Sequence, residues 1–154
     1  MKSSREILIA IQHFCAYRER SQQEVRDKLY SMGLHRNDVE NTIADLISSG
    51  FVNEERFARA YAGGKFRING WGKIKIRNAL VQKKVSPKNI ETGLDGIDDK
   101  DYSASLKKII SQKLNTGTEA NILIKKNKAA RFALSRGFEP ELVWDVVNEL
   151  SGRD

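Results

Sequence analysis

Side chains able to do acid–base, nucleophilic or metal chemistry are few here, and their spacing suits none of it. One cysteine and two histidines occur in 154 residues. His13 and Cys15 are two positions apart, so on a helix they face different directions and cannot chelate one metal. Cys15 falls in an apolar stripe with Ile7, Leu8, Ile11 and Phe14 and reads as core. A single cysteine excludes an internal disulfide and fits a reducing compartment. His35 falls at a helix start. Asp98, Asp99 and Asp101 suggest a metal-dependent nuclease, yet no further carboxylate or histidine comes at supporting spacing, and a solvated linker is the simpler reading. No phosphate-binding P-loop is present. The expectation is a non-enzyme with no catalytic residues, no metal and no cofactor.

The chemistry that the sequence does offer is electrostatic. Lysine and arginine number 27 against 20 acidic residues, for a net charge of +7. Residues 1–52 hold seven cations and seven anions, residues 53–96 ten and four, and residues 97–154 ten and nine, so the excess is concentrated in the middle. From Lys65 to Lys88 there are eight cations and no anion: Lys65, Arg67, Lys73, Lys75, Arg77, Lys83, Lys84 and Lys88. Solubility alone normally mixes the two signs, so the run points to a polyanionic partner whose counterions it would displace. Trp71, between two glycines inside the run, suits either a structural plug or an aromatic that stacks on a base or packs in a protein groove. A second cluster, Lys125, Lys126 and Lys128 with Arg131, extends the candidate surface toward the C-terminus.

A repeat of short helices would position these cations. Leu34, Val85 and Phe138 are 51 and 53 residues apart, and each is followed at five and nine positions by a branched apolar residue: Val39 and Ile43, Ile90 and Leu94, Val143 and Val147. Pro87 and Pro140 stand two residues after Val85 and Phe138, where a helix's first turn tolerates proline. Gly33 and Gly137 precede Leu34 and Phe138, as a left-handed helix-ending residue should; Lys84 takes that place in the middle copy. A period near 50 accommodates three helices. Ser21 to Glu24 reads as a capping box before Val25, Leu29 and Met32. The third helix carries Val39, Ile43, Leu46 and Ile47. Asn53 caps a helix expected to bury Phe57, Ala60 and Tyr61 and to fray or kink at Gly63-Gly64. Ile76 and Leu80 mark the next helix. Leu106, Ile109 and Ile110, then Ile122, Ile124, Ala129, Phe132 and Ala133, then Leu142, Val143, Val146 and Leu150 mark the last copy. The fold expected is all-α: three tandem three-helix modules, residues 1–52, 53–96 and 97–154, in an elongated, curved arrangement. Phe51-Val52-Asn53 and Asp98-Asp99-Lys100-Asp101 read as the junctions.

Four segments resemble the RecX family of regulatory proteins. They are Ala16 to Ser21 with Glu24 to Leu29; Gly50-Phe51-Val52-Asn53-Glu54-Glu55-Arg56-Phe57-Ala58; Gly70-Trp71-Gly72-Lys73-Ile74-Lys75-Ile76; and Ala130 to Phe138. The resemblance runs from about Arg5 to Leu150, departing at Ile68-Asn69, where the family often has more basic residues, and over Lys107 to Thr118. It implies three-helix modules lying in the groove of a RecA–DNA filament. It also implies a regulator, most often an inhibitor, of RecA's ATP hydrolysis, strand exchange and filament growth. The partner implied is the RecA filament, with single- or double-stranded DNA bound weakly and without sequence preference.

A helix-turn-helix transcriptional regulator is the alternative, with the gap between Met32 and Asn37 as its turn. Its recognition helix, Arg36 to Thr42, and the counterpart Lys88 to Asp95 each carry one cation and two anions, whereas a major-groove helix needs donors and cations on its exposed face. No apolar stretch approaches the roughly 18 residues of a membrane span, and the N-terminus lacks a signal pattern. A cytoplasmic monomer is expected.

Overall fold

The computed structural model describes residues 3–118 and 120–152, and among these every regular element is an α-helix. In chain order they are α1 (Ser4–Tyr17), α2 (Gln22–Ser31), α3 (Arg36–Ser48), α4 (Glu54–Asn69), α5 (Lys73–Gln82), α6 (Pro87–Asp95), α7 (Asp99–Thr116), α8 (Ile122–Ser135) and α9 (Pro140–Leu150). Two compact units are formed, one from residues 1–61 and 79–93 and the other from 62–78 and 94–154.

In the first unit α1, α2 and α3 close around Ile7, Ile11, Cys15, Val25, Leu29, Val39, Ile43, Leu46 and Val52. The helix starts are chemically specified. Ser3 and Glu6 make a reciprocal capping box at α1, a start the sequence reading had not marked. The Ser21 hydroxyl, fully buried, accepts from the Glu24 N–H at 3.0 Å. Asn53 Oδ1 accepts from the Arg56 N–H at 2.9 Å, opening α4 where its acidic first turn meets the positive helix end.

The repeat is visible in backbone hydrogen bonds. Leu34, Val85 and Phe138 donate to the carbonyls of Leu29, Leu80 and Ala133 at 3.4, 3.2 and 3.3 Å. The residues before them, Gly33, Lys84 and Gly137, donate to Tyr30, Val81 and Leu134 at 3.0, 2.9 and 3.0 Å, completing three copies of one Schellman-type helix end. All three have positive φ, 92°, 61° and 95°. Lys84 thus adopts the left-handed conformation that its two counterparts reach without a Cβ. The residues at five and nine positions on are buried in every copy.

Several expectations are corrected. Helix α4 runs unbroken through Gly63-Gly64. Gly63 lies buried under the side chain of Arg67, four residues on in the same helix, with the guanidinium nitrogens 2.8 and 2.9 Å from where a Cβ would stand, so the missing side chain leaves room for an i,i+4 contact along α4. Helix α4 buries Ala58 and Ala62 rather than Ala60. The reason is a close helix crossing: a Cβ on Gly93 of α6 would fall 2.8 Å from the Ala58 carbonyl group. Leu8, Ile47, Ile122, Ile124, Leu142 and Leu150 are exposed, on the outer edges of their stripes. Asp98, Asp99 and Asp101 form no loose linker; Asp98 caps α7 by accepting from the Asp101 N–H at 3.0 Å, and the other two lie in its first turn. Helices α7, α8 and α9 pack on one another in the second unit, around Leu106, Ile110, Ala129, Ala133, Phe138 and Val143.

Candidate nucleic-acid interface

Helix α5 presents the densest cations and begins against the usual electrostatic rule, with Lys73, Lys75 and Arg77 near its N-terminus and no acidic residue in its first turn. Tertiary contacts within the second unit stabilise that start. The Gly72 and Ile74 N–H groups donate to the carbonyls of Arg136 and Gly137 at 2.7 and 3.0 Å, so the carbonyl end of α8 meets the N–H end of α5. The Lys73 N–H donates to the Tyr102 hydroxyl at 2.9 Å. That hydroxyl in turn donates to a carboxylate oxygen of Glu139, the residue that opens α9 without capping it.

Glycine makes this approach possible. A Cβ on Gly72 would fall 2.4 Å from the backbone of Gly137 and Phe138, and one on Gly137 would fall 2.3 Å from Lys75 Cβ. The Tyr102 ring is buried between Phe66 and Phe138, with centroid separations of 5.7 and 5.1 Å. Burial first, then the bond to Glu139, hold its phenol far above the ordinary tyrosine range, so it remains protonated. Sequence reasoning did not single out Tyr102, because its partners stand 29 and 37 residues away and no local pattern marks them.

Five of the eight cations in the acid-free run belong to the second unit and three to the first. In the second, Lys65 and Lys75 place their ammonium groups 4.9 and 4.7 Å from the half-buried Trp71 ring. Trp71 is therefore an organiser of two lysines, a contact of the cation–π kind. Lys73 sits 4.9 Å from the Tyr102 ring centroid. Arg67 is exposed and Arg77 half-buried. In the first unit, Lys83 lies 5.4 Å from the Tyr61 ring, and Lys84 and Lys88 are exposed. Of the second cluster, Lys125, Lys128 and Arg131 line a cleft in the second unit beside Lys113 and Phe132, whereas Lys126 does not line it.

The N-terminal arginines are used differently. Arg26 forms a two-pronged bond to Glu40 at 2.7 and 3.0 Å, joining α2 to α3. This bond holds the Glu40 carboxyl below the usual carboxylate range. Arg20 stacks 3.7 Å from the Phe14 ring and donates to the Phe14 carbonyl at 2.9 Å. Arg18 pairs with Glu24 at 3.1 Å, and Arg56 with Glu19 at 2.7 Å. Cys15 is buried, and that burial raises its thiol pKa, which disfavours the reactive thiolate. No group of three or more potential metal ligands comes together among the described residues, and none of their helices is long and apolar enough to cross a membrane.

Comparison with known proteins agrees with this architecture. The family models for the first and second three-helix domains of RecX match residues 12–46 and 53–94. The chain is 31% identical over 138 residues to the regulatory protein RecX of Legionella pneumophila (strain Corby), covering 86% of this chain and 87% of that one. It is 32% identical over 132 residues to the RecX protein of Clostridium botulinum (strain Eklund 17B / Type B), covering 84% of this chain and 61% of the relative. It thus spans about three fifths of the clostridial relative's length. The crystal structure of RecX from Lactobacillus salivarius shares the fold, with a TM-score of 0.86, 23% identity and 94% coverage of both chains. A second RecX crystal structure has a TM-score of 0.79 and 15% identity, covering 95% of this chain and 75% of that one. With helices, repeat and sequence in agreement, the chain belongs to the RecX family of regulatory proteins.

Proposed function

We propose that this chain regulates the RecA recombinase, as an inhibitor, by lying in the groove of the RecA–DNA filament and lowering ATP hydrolysis, strand exchange and filament growth during recombination and DNA repair. In this reading it acts in the cytoplasm as a monomer of three modules, residues 1–52, 53–96 and 97–154, and is no enzyme itself. The observation that carries it is the run of eight cations without an anion from Lys65 to Lys88, in a chain of this family. Such a run favours a polyanionic partner, because each cation that meets a phosphate releases condensed counterions. Bare single- or double-stranded DNA then binds weakly and without sequence preference, and recombinase contacts supply the rest of the affinity. Titrating the chain into RecA on single-stranded DNA, with ATP hydrolysis and strand exchange as readouts, tests the proposal. A dose-dependent fall in both is expected; no change in either defeats it.

A further inference from the structure

We propose that the cleft between the last turn of α7 and α8 is a separate anion site, suited to closely spaced phosphates of a nucleotide or a nucleic-acid strand. The inference deepens the nucleic-acid side of the preceding reading and rests on it for its setting. The cleft has a volume of about 570 Å³, within the range of small-molecule sites. Lys113 from α7 and Lys125, Lys128 and Arg131 from α8 line it around Phe132.

The three α8 cations recur every third residue, so they share one face and extend over roughly 9 Å of helix. Lys113 faces them from another helix, with its ammonium 4.1 Å from the Phe132 ring centroid. Charges spread over that length match several phosphates better than one carboxylate. Gly117 gives the site room: a Cβ there would meet Lys125 Cε and Cγ at 3.2 and 3.3 Å. Its φ of −68° is one that any residue adopts, so the bare Cα serves the lysine stem rather than the backbone. The sequence cluster ran through Lys126; the fold puts Lys113 beside the other three instead.

Calorimetric titration of the chain at low salt tests the site with inorganic triphosphate, a nucleoside triphosphate and a short oligonucleotide lacking terminal phosphates. Inorganic triphosphate should bind, and Lys128→Gln with Arg131→Gln should weaken it about ten-fold or more with the helical dichroism unchanged. Lys113→Gln, on the other helix, should weaken it too, while Lys73→Gln, Lys75→Gln and Arg77→Gln together should not. Tightest binding of the nucleoside triphosphate identifies a free nucleotide as the occupant, and tightest binding of the oligonucleotide identifies a strand; either supports the site. The site is overturned if no probe binds at millimolar concentration, if the α8 variants bind like the parent, or if a poly-glutamate peptide binds more tightly than triphosphate. Triphosphate binding by a chain that leaves RecA unaffected keeps the site and removes the filament reading; inhibition of RecA without triphosphate binding does the reverse.

Discussion

Tyr102 joins three helices through one oxygen, accepting from the Lys73 N–H at the start of α5 and donating to Glu139 at the start of α9. Tyr102→Phe removes the hydroxyl from both partners in a part-buried setting and should cost about 1–3 kcal/mol in denaturant unfolding. The phenol also gives a pH signature. Its folded pKa is raised, so the stability it supplies is complete below the ordinary tyrosine value of about 10 and is lost as pH rises beyond it. The phenylalanine variant should lack that alkaline loss, and unfolding curves from pH 8 to 11 measure the difference. Lys84 makes the opposite case: its left-handed φ of 61° carries strain that glycine does not. Lys84→Gly should raise stability by about 1 kcal/mol, read as a higher denaturation midpoint. The sequence marked this position by its place in the repeat, since Gly33 and Gly137 occupy it in the other copies. It did not mark Tyr102, whose role exists only once distant helices meet.

At the level of helices, apolar spacing and capping residues were enough to anticipate the elements, because each helix has a buried stripe and most have a side-chain cap or proline at the start. Small residues were harder to interpret. Gly63-Gly64 looks like a weak point in isolation, yet α4 continues through it under Arg67. Gly72 looks like loop punctuation but permits the backbone of α5 to reach that of α8. Gly72→Ala, with its Cβ 2.4 Å from Gly137 backbone atoms, should destabilise the second unit by at least about 1–3 kcal/mol. Hydrogen exchange should locate the loss in α5 and α8. The cations were legible as a run, but their division between the two units was not, since sequence order does not show which compact unit each residue joins. Neutralising Lys73, Lys75 and Arg77 together leaves Ile76 and Leu80 buried and should preserve helicity. On bare DNA it should also flatten the log–log salt dependence, by roughly 0.9 per lost duplex phosphate contact and 0.7 per single-strand contact.

Across the whole molecule the charge map separates the arginines that tie the first three helices together from the cations of the acid-free run. Arg20 and Arg26 hold α1, α2 and α3 together through Phe14 and Glu40, so replacing them would perturb folding as well as charge. Exposed Arg5 and Arg36 are better neutral controls. A sequence-specific repressor would need a cationic recognition helix, and α3 and α6 each carry one cation against three and two carboxylates, so tight binding to one duplex sequence would contradict the filament reading. The most direct test titrates the parent chain, the Lys73/Lys75/Arg77→Gln variant and the Arg5/Arg36→Gln control into preformed RecA filaments on single-stranded DNA, measuring strand exchange alongside filament binding. Inhibition by the parent and the control, with binding and inhibition by the triple variant weakened about ten-fold or more, is the result predicted. A triple variant that binds and inhibits as well as the parent would contradict the account.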